Sequence, residues 1–272
     1  MTPLFGAKRP HEWRGFAYGT GVNLEPMSDD SSISPLATRW PSLDELLGPN
    51  EPAEPNTPWV RMIAALNACG SATVDDTSGG LGNDLDFKLL LVMREWSDAV
   101  VVTSATVNRE GYGPVEPTET RPEPPALAIV TRSLSIEPSS PAISEARTPT
   151  IVVCPGANLN EPALRERAQA LGDAGAIVLT ADHGPAGIID ALHSRGLNKL
   201  SLEGGPSLYS QFIASDLVDE AYLTLDPTLT ATVDTPLVNP HGDPTSTPRA
   251  FELAGLHPCP DSVVFLHYTR RR

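Results

Sequence analysis

The chain has few residues of the kinds that mark several large protein classes. Cysteine occurs three times in 272 residues, as Cys69, Cys154 and Cys259. This odd number, without Cys-x-x-Cys spacing, disfavours both a disulfide framework and a zinc site. No apolar run approaches the roughly 20 residues that a membrane span requires, and residues 1–10 lack the apolar stretch of a signal peptide. We therefore predict a cytoplasmic protein without membrane contact.

Basic residues and common catalytic signatures are also scarce. The sequence has 19 Lys and Arg against 34 Asp and Glu, which gives a formal net charge of −15. Because nucleic-acid affinity depends on clustered positive charge, this balance argues against a nucleic-acid partner. The sequence contains no G-x-x-x-x-G-K-[ST] loop, no G-x-S-x-G motif, no H-E-x-x-H motif and no complete G-x-G-x-x-G fingerprint after the first predicted strand. Standard nucleoside-triphosphatase, α/β-hydrolase and zinc-protease chemistries are therefore disfavoured.

The first 58 residues differ in composition from the rest of the chain. They contain nine prolines, which remove backbone donors and block helix continuation. The exception is a stretch in which Ser42 can cap a short helix that ends at Gly48. We predict a proline-rich N-terminal arm over residues 1–58 and a main domain over residues 59–272.

From Trp59 onward, short apolar runs alternate with helical stretches. Strands are predicted at 59–66, 99–103, 126–131, 151–154, 176–180, 199–202, 220–225 and 262–268. Helices are predicted at 84–97, 161–171, 185–195 and 206–214, the first with an inward face formed by Phe87, Leu90, Leu91 and Trp96. This alternation predicts an α/β fold with a mostly parallel sheet. The last strand has no helical partner, so we expect it to join one sheet edge in the antiparallel direction.

The sharpest candidate for a functional site is Glu203-Gly-Gly-Pro-Ser-Leu208. It follows a predicted buried strand and precedes a helix, at the sheet edge where open α/β sheets bind ligands. Two glycines allow close approach to a diphosphate, and Pro206 suits the first turn of a helix, whose free N–H groups favour an anion. The alternative is an ordinary strand-to-helix turn with an incidental carboxylate.

Two further segments are placed to contribute to such a site. The loop 67–83 is rich in glycine and hydroxyl residues, and long loops in compact domains are often functional; the alternative is a surface connection. Thr103-Ser-Ala-Thr106 emerges from a predicted strand and is followed by Glu110-Gly-Tyr-Gly-Pro114. Its hydroxyls can donate to phosphate or ribose oxygens, whereas Glu110 is either a functional carboxylate or a solvated charge.

In this order, the segments resemble the reductase domain of riboflavin biosynthesis proteins, the pyrimidine reductase family, over residues 59–268. The resemblance is carried by six segments: Trp59-Val-Arg-Met-Ile63, Ala72-Thr-Val-Asp-Asp-Thr-Ser-Gly-Gly-Leu81, Arg94-Glu-Trp-Ser-Asp-Ala-Val100, Thr106 with Glu110–Pro114, Leu202–Leu208 and Leu217-Val-Asp-Glu220. Within this family, the chain most resembles the stand-alone proteins of actinobacterial type, which have no deaminase domain. It implies a dihydrofolate-reductase-like, three-layer α/β fold with a mostly parallel sheet and an antiparallel C-terminal edge strand, and a homodimer.

The resemblance also implies a reaction and a set of site residues. The family uses NADPH to deliver hydride to the ribosyl C1′ of 5-amino-6-(5-phosphoribosylamino)uracil, a small heterocyclic substrate, and needs no metal. The implied cofactor-binding residues are Thr103, Thr106, Glu110, Thr131, Arg132, Ser133, Gly204, Gly205, Pro206, Ser207 and Leu208. The implied substrate-binding residues are Asn67, Ser78, Arg94 and Glu203, and the implied catalytic residues are Glu110 and Glu203. Arg132 suits a two-pronged contact with the adenosine 2′-phosphate.

Three departures from the family pattern favour a second hypothesis. Cys69 stands where the family usually has Asp, and Thr103-Ser-Ala replaces a usual Gly-x-Gly, which would narrow the cofactor space. The basic residue that usually grips the substrate phosphate is absent after Glu110, since 114–124 contains only Arg121. The second hypothesis is therefore a non-catalytic nucleotide-binding protein on the same scaffold. A third is an assembly protein that uses the proline-rich arm to hold a partner.

Overall fold

The computed structural model of the chain describes residues 37–48, 56–74, 77–239 and 247–271. In these ranges the α-helices are α1 (Leu43–Leu47), α2 (Asp84–Trp96), α3 (Ser104–Glu110), α4 (Pro141–Ser144), α5 (Pro162–Asp173), α6 (Pro185–His193) and α7 (Pro206–Ala214). The strands are β1 (Trp59–Asn67), β2 (Ala99–Thr103), β3 (Ala126–Val130), β4 (Ile151–Cys154), β5 (Ile177–Thr180), β6 (Lys199–Gly204), β7 (Glu220–Asp226), β8 (Phe251–Pro258) and β9 (Val264–Arg270). In the described ranges, no helix has the length and apolar character needed to cross a bilayer.

The strands form one sheet in the order β5-β4-β3-β2-β6-β1-β7-β9-β8. All neighbours from β5 to β7 are parallel, and β9 runs antiparallel to both β7 and β8. Because parallel strands share one direction, the carboxyl ends of β2, β6, β1 and β7 meet at one edge of the sheet. The α/β class with a mostly parallel sheet and an antiparallel edge is thus confirmed.

The core lies on both faces of the sheet, as the apolar character of β2 predicts. Val101 belongs to a buried cluster with Leu192 of α6 and Phe212 of α7. Its neighbour Val100 belongs to a second cluster with Leu171 of α5. Since successive residues of a strand point to opposite faces, helices cover the sheet on both sides and the domain has three layers.

The antiparallel edge contains a strand that the sequence analysis missed. The predicted last strand is present as β9, with Leu266 opposite Leu223 of β7. Beyond it lies β8, whose register shifts between Leu253 and Gly255. This bulge and the glycine interrupt the period of two by which a strand is recognised. The C-terminal strand is therefore paired on both sides, and β8 forms the outer edge.

The inward face predicted for α2 is correct for Leu90, which packs against a buried cluster, and wrong for Phe87 and Leu91. The helix buries Leu89 and Met93 and leaves Phe87 and Leu91 59% and 39% exposed. Both pairs have the i, i+4 spacing of a helical stripe. Because α2 is apolar on more than one side, its periodicity alone does not identify the side that faces the sheet.

The short helix predicted after Ser42 is present as α1. The Glu45 amide donates to Ser42 Oγ at 3.2 Å, and the Glu45 carboxylate accepts from the Ser42 amide at 2.8 Å, which forms a capping box. The helix ends at Gly48, as predicted. Leu46 is 1% exposed and packs in a cluster with Leu89 of α2. Of the predicted arm, residues 1–36 and 49–55 lie outside the described residues.

Candidate active site

A cavity of about 160 Å³ opens at the carboxyl edge of the parallel strands. Its wall includes Ala64 of β1, Asp86 of α2, Thr106 of α3, Glu203 of β6 and Pro206 of α7. These elements lie on both sides of β1, the strand between β6 and β7. Such an edge is where open α/β sheets bind their ligands, so the cavity is the candidate active site.

A buried ion pair lies at the cavity: Glu203 lines it, whereas Arg94 lies behind Glu203 and is not among the lining residues. Arg94 Nε donates to Glu203 Oε1 at 2.9 Å, and Arg94 Nη2 donates to Glu203 Oε2 at 2.6 Å, a two-pronged contact. The Tyr112 hydroxyl donates to Oε2 at 3.1 Å, and the Ser201 hydroxyl to Oε1 at 3.3 Å. Both oxygens of Glu203 are thus occupied by donors from this chain. The predicted substrate residues Arg94 and Glu203 are brought together.

Burial of this cluster fixes the protonation of its donors. The Glu203 side chain is 2% exposed and that of Arg94 is 21% exposed. Burial lowers the pKa of Arg94, but the charge and hydrogen bonds of Glu203 outweigh it and the net pKa is raised. Burial and the Glu203 charge also raise the pKa of Tyr112. Arg94 therefore stays charged and Tyr112 stays a hydroxyl donor near neutral pH.

The Gly204–Gly205 turn packs tightly against α3. The two residues are joined by a cis peptide bond, and Gly204 has a φ of +116°, which side chains rarely adopt. A Cβ atom on Gly205 would lie 2.8 Å from Thr106 Oγ1. The absence of a side chain at 205 thus lets the start of α7 lie directly beside the first turn of α3.

The predicted hydroxyl segment forms the start of α3, a helix that is absent from the predicted elements. Thr103 is its N-cap and accepts from the Thr106 amide at 3.2 Å, and Gly111 ends it in the left-handed conformation. Ser104 Oγ donates to Thr131 Oγ1 at 3.1 Å. The signal for this helix was a capping threonine eight residues before a glycine.

Glu110 and Ser78 meet at the cavity. The Glu110 carboxylate accepts from the Ser78 hydroxyl at 3.1 Å and from the Ser78 amide at 3.3 Å, and both residues line the cavity. Asn67, in contrast, is fully buried and is not among the lining residues. Its Oδ1 accepts from the amides of Cys69 and Ser71 at 3.0 and 2.9 Å. It therefore holds the shape of the loop that follows β1.

The remaining predicted cofactor residues lie outside the cavity lining. Thr131, Arg132 and Ser133 follow β3, two strands away from β6 in the sheet. Thr131 is buried, whereas Arg132 and Ser133 are exposed. In α7, Leu208 is 1% exposed and belongs to the core, so only its backbone is available to a ligand.

Several cavity residues were given no role from the sequence, among them Thr73, Asp86, Arg109 and Tyr112. Asp86 lies in the first turn of α2, where an acidic residue is commonly explained by the helix dipole. Thr73 and Tyr112 lie in segments that carry the family resemblance but were assigned no role, and Tyr112 gains its role only through contact with Glu203, 91 residues along the chain. Tertiary contacts of this kind leave no signal in local spacing.

The family profile described as the RibD C-terminal domain matches residues 58–265. The chain belongs to the RibD C-terminal domain family. This membership confirms the resemblance to riboflavin biosynthesis reductases. No curated protein sequence matches the chain.

Solved structures agree with this family. The chain is similar to a pyrimidine reductase-like protein from Corynebacterium diphtheriae, with 33% identity and a TM-score of 0.69 over 81% of this chain and 96% of that one. Its fold is also similar to that of RibD from Acinetobacter baumannii, with 19% identity and a TM-score of 0.64 over 79% of this chain and 58% of that one. The riboflavin biosynthesis reductase of Saccharomyces cerevisiae has 16% identity and a TM-score of 0.59, over 81% and 93% of the two chains. The last two comparisons show the fold alone.

Proposed function

We propose that this chain is an NADPH-dependent oxidoreductase of riboflavin-pathway type. Its reaction would transfer hydride to the ribosyl C1′ of a 5-amino-6-(5-phosphoribosylamino)uracil-like pyrimidine or a related heterocycle. The observation that carries the proposal is the cavity in which Gly205 of the glycine turn and Glu203, the partner of Arg94, meet at one sheet edge. The first would hold a cofactor and the second a substrate, so the two reactants would lie side by side.

The start of α7 suits the diphosphate of a dinucleotide. Its N-cap, Gly205, provides no side-chain hydrogen bond. Pro206 has no N–H and the Leu208 amide donates to the Gly205 carbonyl, so the Ser207 amide is the first-turn group that an anion can satisfy. In this proposal the backbone of 204–208 and the hydroxyls of Thr103 and Thr106 hold the cofactor, with Glu110 beside it. Thr131, Arg132 and Ser133 hold the adenosine 2′-phosphate. NADPH supplies the hydride when it is bound.

The protein would orient the substrate and help to deliver the proton that the reaction requires. Hydride addition at C1′ breaks the C1′–O4′ bond, and the departing oxygen takes one proton to become a hydroxyl. Glu203 is 2% exposed and both of its oxygens accept from the charged Arg94, whereas Glu110 accepts, among the described residues, only from Ser78. We therefore assign Glu203 to positioning Arg94 and Tyr112 rather than to proton transfer. Glu110 accepts hydrogen bonds from Ser78 at the cavity and stays the proposed catalytic carboxylate.

The decisive test is titration of the protein with NADPH and, in parallel, with NADH, followed by tryptophan fluorescence. We expect preferential binding of NADPH. Arg132→Ala should weaken NADPH binding about tenfold or more and leave NADH binding unchanged, because it removes a charge-assisted contact to phosphate. Arg195→Ala, another exposed arginine, is the matched control. Absence of NADPH binding would refute the proposal, and binding without turnover on pathway pyrimidines would favour the non-catalytic alternative.

We also propose a cytoplasmic homodimer. The outer strand β8 exposes Leu253 and Leu256 by 54% and 55%, and an edge strand with exposed apolar side chains is suited to pairing with a second chain. Light scattering should give twice the mass of the 28.9 kDa chain. The mass of a single chain would remove this part of the proposal.

A further inference from the structure

A second cavity, of about 150 Å³, lies between α2 and the connection 111–125 that joins α3 to β3. It is separate from the candidate active site, because the two cavities share no lining residue. We call it the α2 groove and define it by the residues of 87–95 and 115–125 that line it. We propose that the α2 groove binds a small, neutral aromatic amide. The site lies outside the proposed hydride transfer, and its evidence does not depend on that reaction.

The walls of the α2 groove are apolar and suit one aromatic ring. Phe87 and Leu91 contribute apolar surface from α2, and Val115, Pro124 and Pro125 contribute it from the connection. The three residues of the connection are buried, whereas Phe87 and Leu91 are 59% and 39% exposed. A ring that covers these two side chains would remove apolar surface from water, which is favourable. An apolar cavity of about this volume accommodates one benzene ring.

Arg94 supplies hydrogen-bond donors to the α2 groove. Its hydrogen bonds to described residues come from Nε and Nη2, and all of them end on Glu203. The Arg94 side chain is 21% exposed and lines this groove, not the active-site cavity. Because a guanidinium has five N–H donors, those on Nη1 can donate to a ligand carbonyl while the contact with Glu203 is kept.

The charges around the α2 groove favour a neutral ligand over an anion. Arg94 and Arg121 line the groove together with Glu95 and Glu116, and Glu203 lies behind Arg94. The site therefore has three carboxylates against two guanidinium groups, and a ligand carboxylate would be repelled. Arg121 is also partly engaged, because its Nη1 donates to the Glu95 carbonyl at 2.6 Å.

Glu95 supplies the acceptor that an amide requires. Its Oε1 accepts from the Thr118 hydroxyl at 2.8 Å and also from the Thr120 hydroxyl. Both of these hydrogen bonds leave Oε2 to a ligand. A primary amide has a carbonyl for Arg94 and an N–H for Glu95, whereas a carboxylate has no donor. An aromatic primary amide thus matches the apolar walls and both polar side chains of the groove.

The test is titration of the isotope-labelled chain with benzamide, benzoate and acetamide, followed through the backbone amide NMR resonances. We expect benzamide to bind with a Kd of about 1 mM, as a ligand of one ring can. It should shift the amide resonances of 87–95 and 115–121 and leave those of Ser78 and Gly205, which line the active-site cavity, unchanged. Benzoate should bind about tenfold more weakly because of its charge. Acetamide, which has no ring, should not bind.

Leu91→Glu is the decisive variant, because it places a carboxylate among the apolar walls of the α2 groove. It should weaken benzamide binding at least about tenfold. Since Leu91 is 39% exposed, the variant should keep its fold, which its own amide spectrum checks. Leu229→Glu is the matched control, at a leucine that is 77% exposed and outside the groove, and should bind as the natural chain does. Phe87→Ala, which only removes ring contact, should weaken binding by a smaller factor.

Four outcomes would overturn the inference. They are absence of benzamide binding, shifts confined to Ser78 and Gly205, benzoate binding as tight as that of benzamide, and equal benzamide binding by Leu91→Glu and the natural chain. Light scattering of Leu91→Glu adds a fifth. A mass lower than that of the natural chain would show that a second copy covers the α2 groove, which would also overturn the assignment to a small ligand.

Discussion

Replacing Gly205 with alanine tests the close packing between the Gly204–Gly205 turn and α3. The new Cβ would lie 2.8 Å from Thr106 Oγ1, well inside contact distance. The φ of −86° at Gly205 is accessible to alanine, so the expected effect is steric. Rotation of Thr106 would relieve the clash but would break its 2.9 Å hydrogen bond with Thr103, at about 1 kcal/mol. With repacking, we expect a loss of about 1–3 kcal/mol in the free energy of unfolding.

Urea unfolding of Gly205→Ala, Thr106→Ala and the double variant measures this effect. In a parallel thermal unfolding experiment, the melting temperature of Gly205→Ala should fall by roughly 2–12 °C. Because Thr106→Ala removes the clashing oxygen, the double variant should lose less stability than the sum of the single variants. Gly113→Ala is the control, since nothing lies within 4 Å of a Cβ at that position. Strictly additive losses, or unchanged stability of Gly205→Ala, would show that the turn is not packed as described.

Further predictions concern buried charged groups. Glu203→Gln should lower the free energy of unfolding by about 3 kcal/mol. This value is at the low end of the range for breaking a buried ion pair, because the Arg94 side chain is 21% exposed. A urea midpoint equal to that of the natural chain would contradict this prediction. Tyr112→Phe removes a 3.1 Å hydrogen bond to the Glu203 carboxylate and should cost about 1.5 kcal/mol, with turnover reduced more than NADPH affinity in steady-state assays. For Glu220, burial raises the pKa, but the hydrogen bond with His267 and the charge of Arg61 outweigh it, so the pKa is lowered from 4.5. The resulting stability is present above pH 4.5 and is lost as the pH falls through the lowered value, so Glu220→Gln should flatten the decline in unfolding free energy below pH 4.5.

The parts of the fold that could be predicted are those in which local sequence and final environment agree. The short, β-branched segment Ala99–Thr103 has the composition expected of a strand buried on both faces, which is the environment of β2. The bounds of β2 match the prediction. The helix Pro206–Ala214 also matched, since Pro206 starts it and a glycine pair precedes it. In β8 the bulge and Gly255 disturbed the pattern. Two apolar stripes on α2 left its inward face undetermined by periodicity.

The candidate site was predictable in its positions and much less in its contacts. The glycine turn stood out because a glycine pair between a buried strand and a helix suits an anion, and Glu110 was assigned a role by the family resemblance. The two-pronged contact between Arg94 and Glu203 joins residues 109 apart in the chain, and no spacing rule reports such a pair. Asp86 escaped attention because an acid in the first turn of a helix already has a local explanation. Its place in the site depends on its contact with Thr224 and on the cavity around it, which exist only in the folded chain.

The packing of α1 has a practical consequence for the limits of an expressed fragment. The family profile begins at residue 58, after α1. Leu46, however, is 1% exposed in a cluster with Ile63, Leu89 and Met93, and the Tyr222 hydroxyl donates to the Leu47 carbonyl at 2.9 Å. A fragment cut at the profile boundary would uncover this apolar surface and leave that hydroxyl without its carbonyl partner. Fragments that retain α1 should therefore aggregate less than those that start at β1.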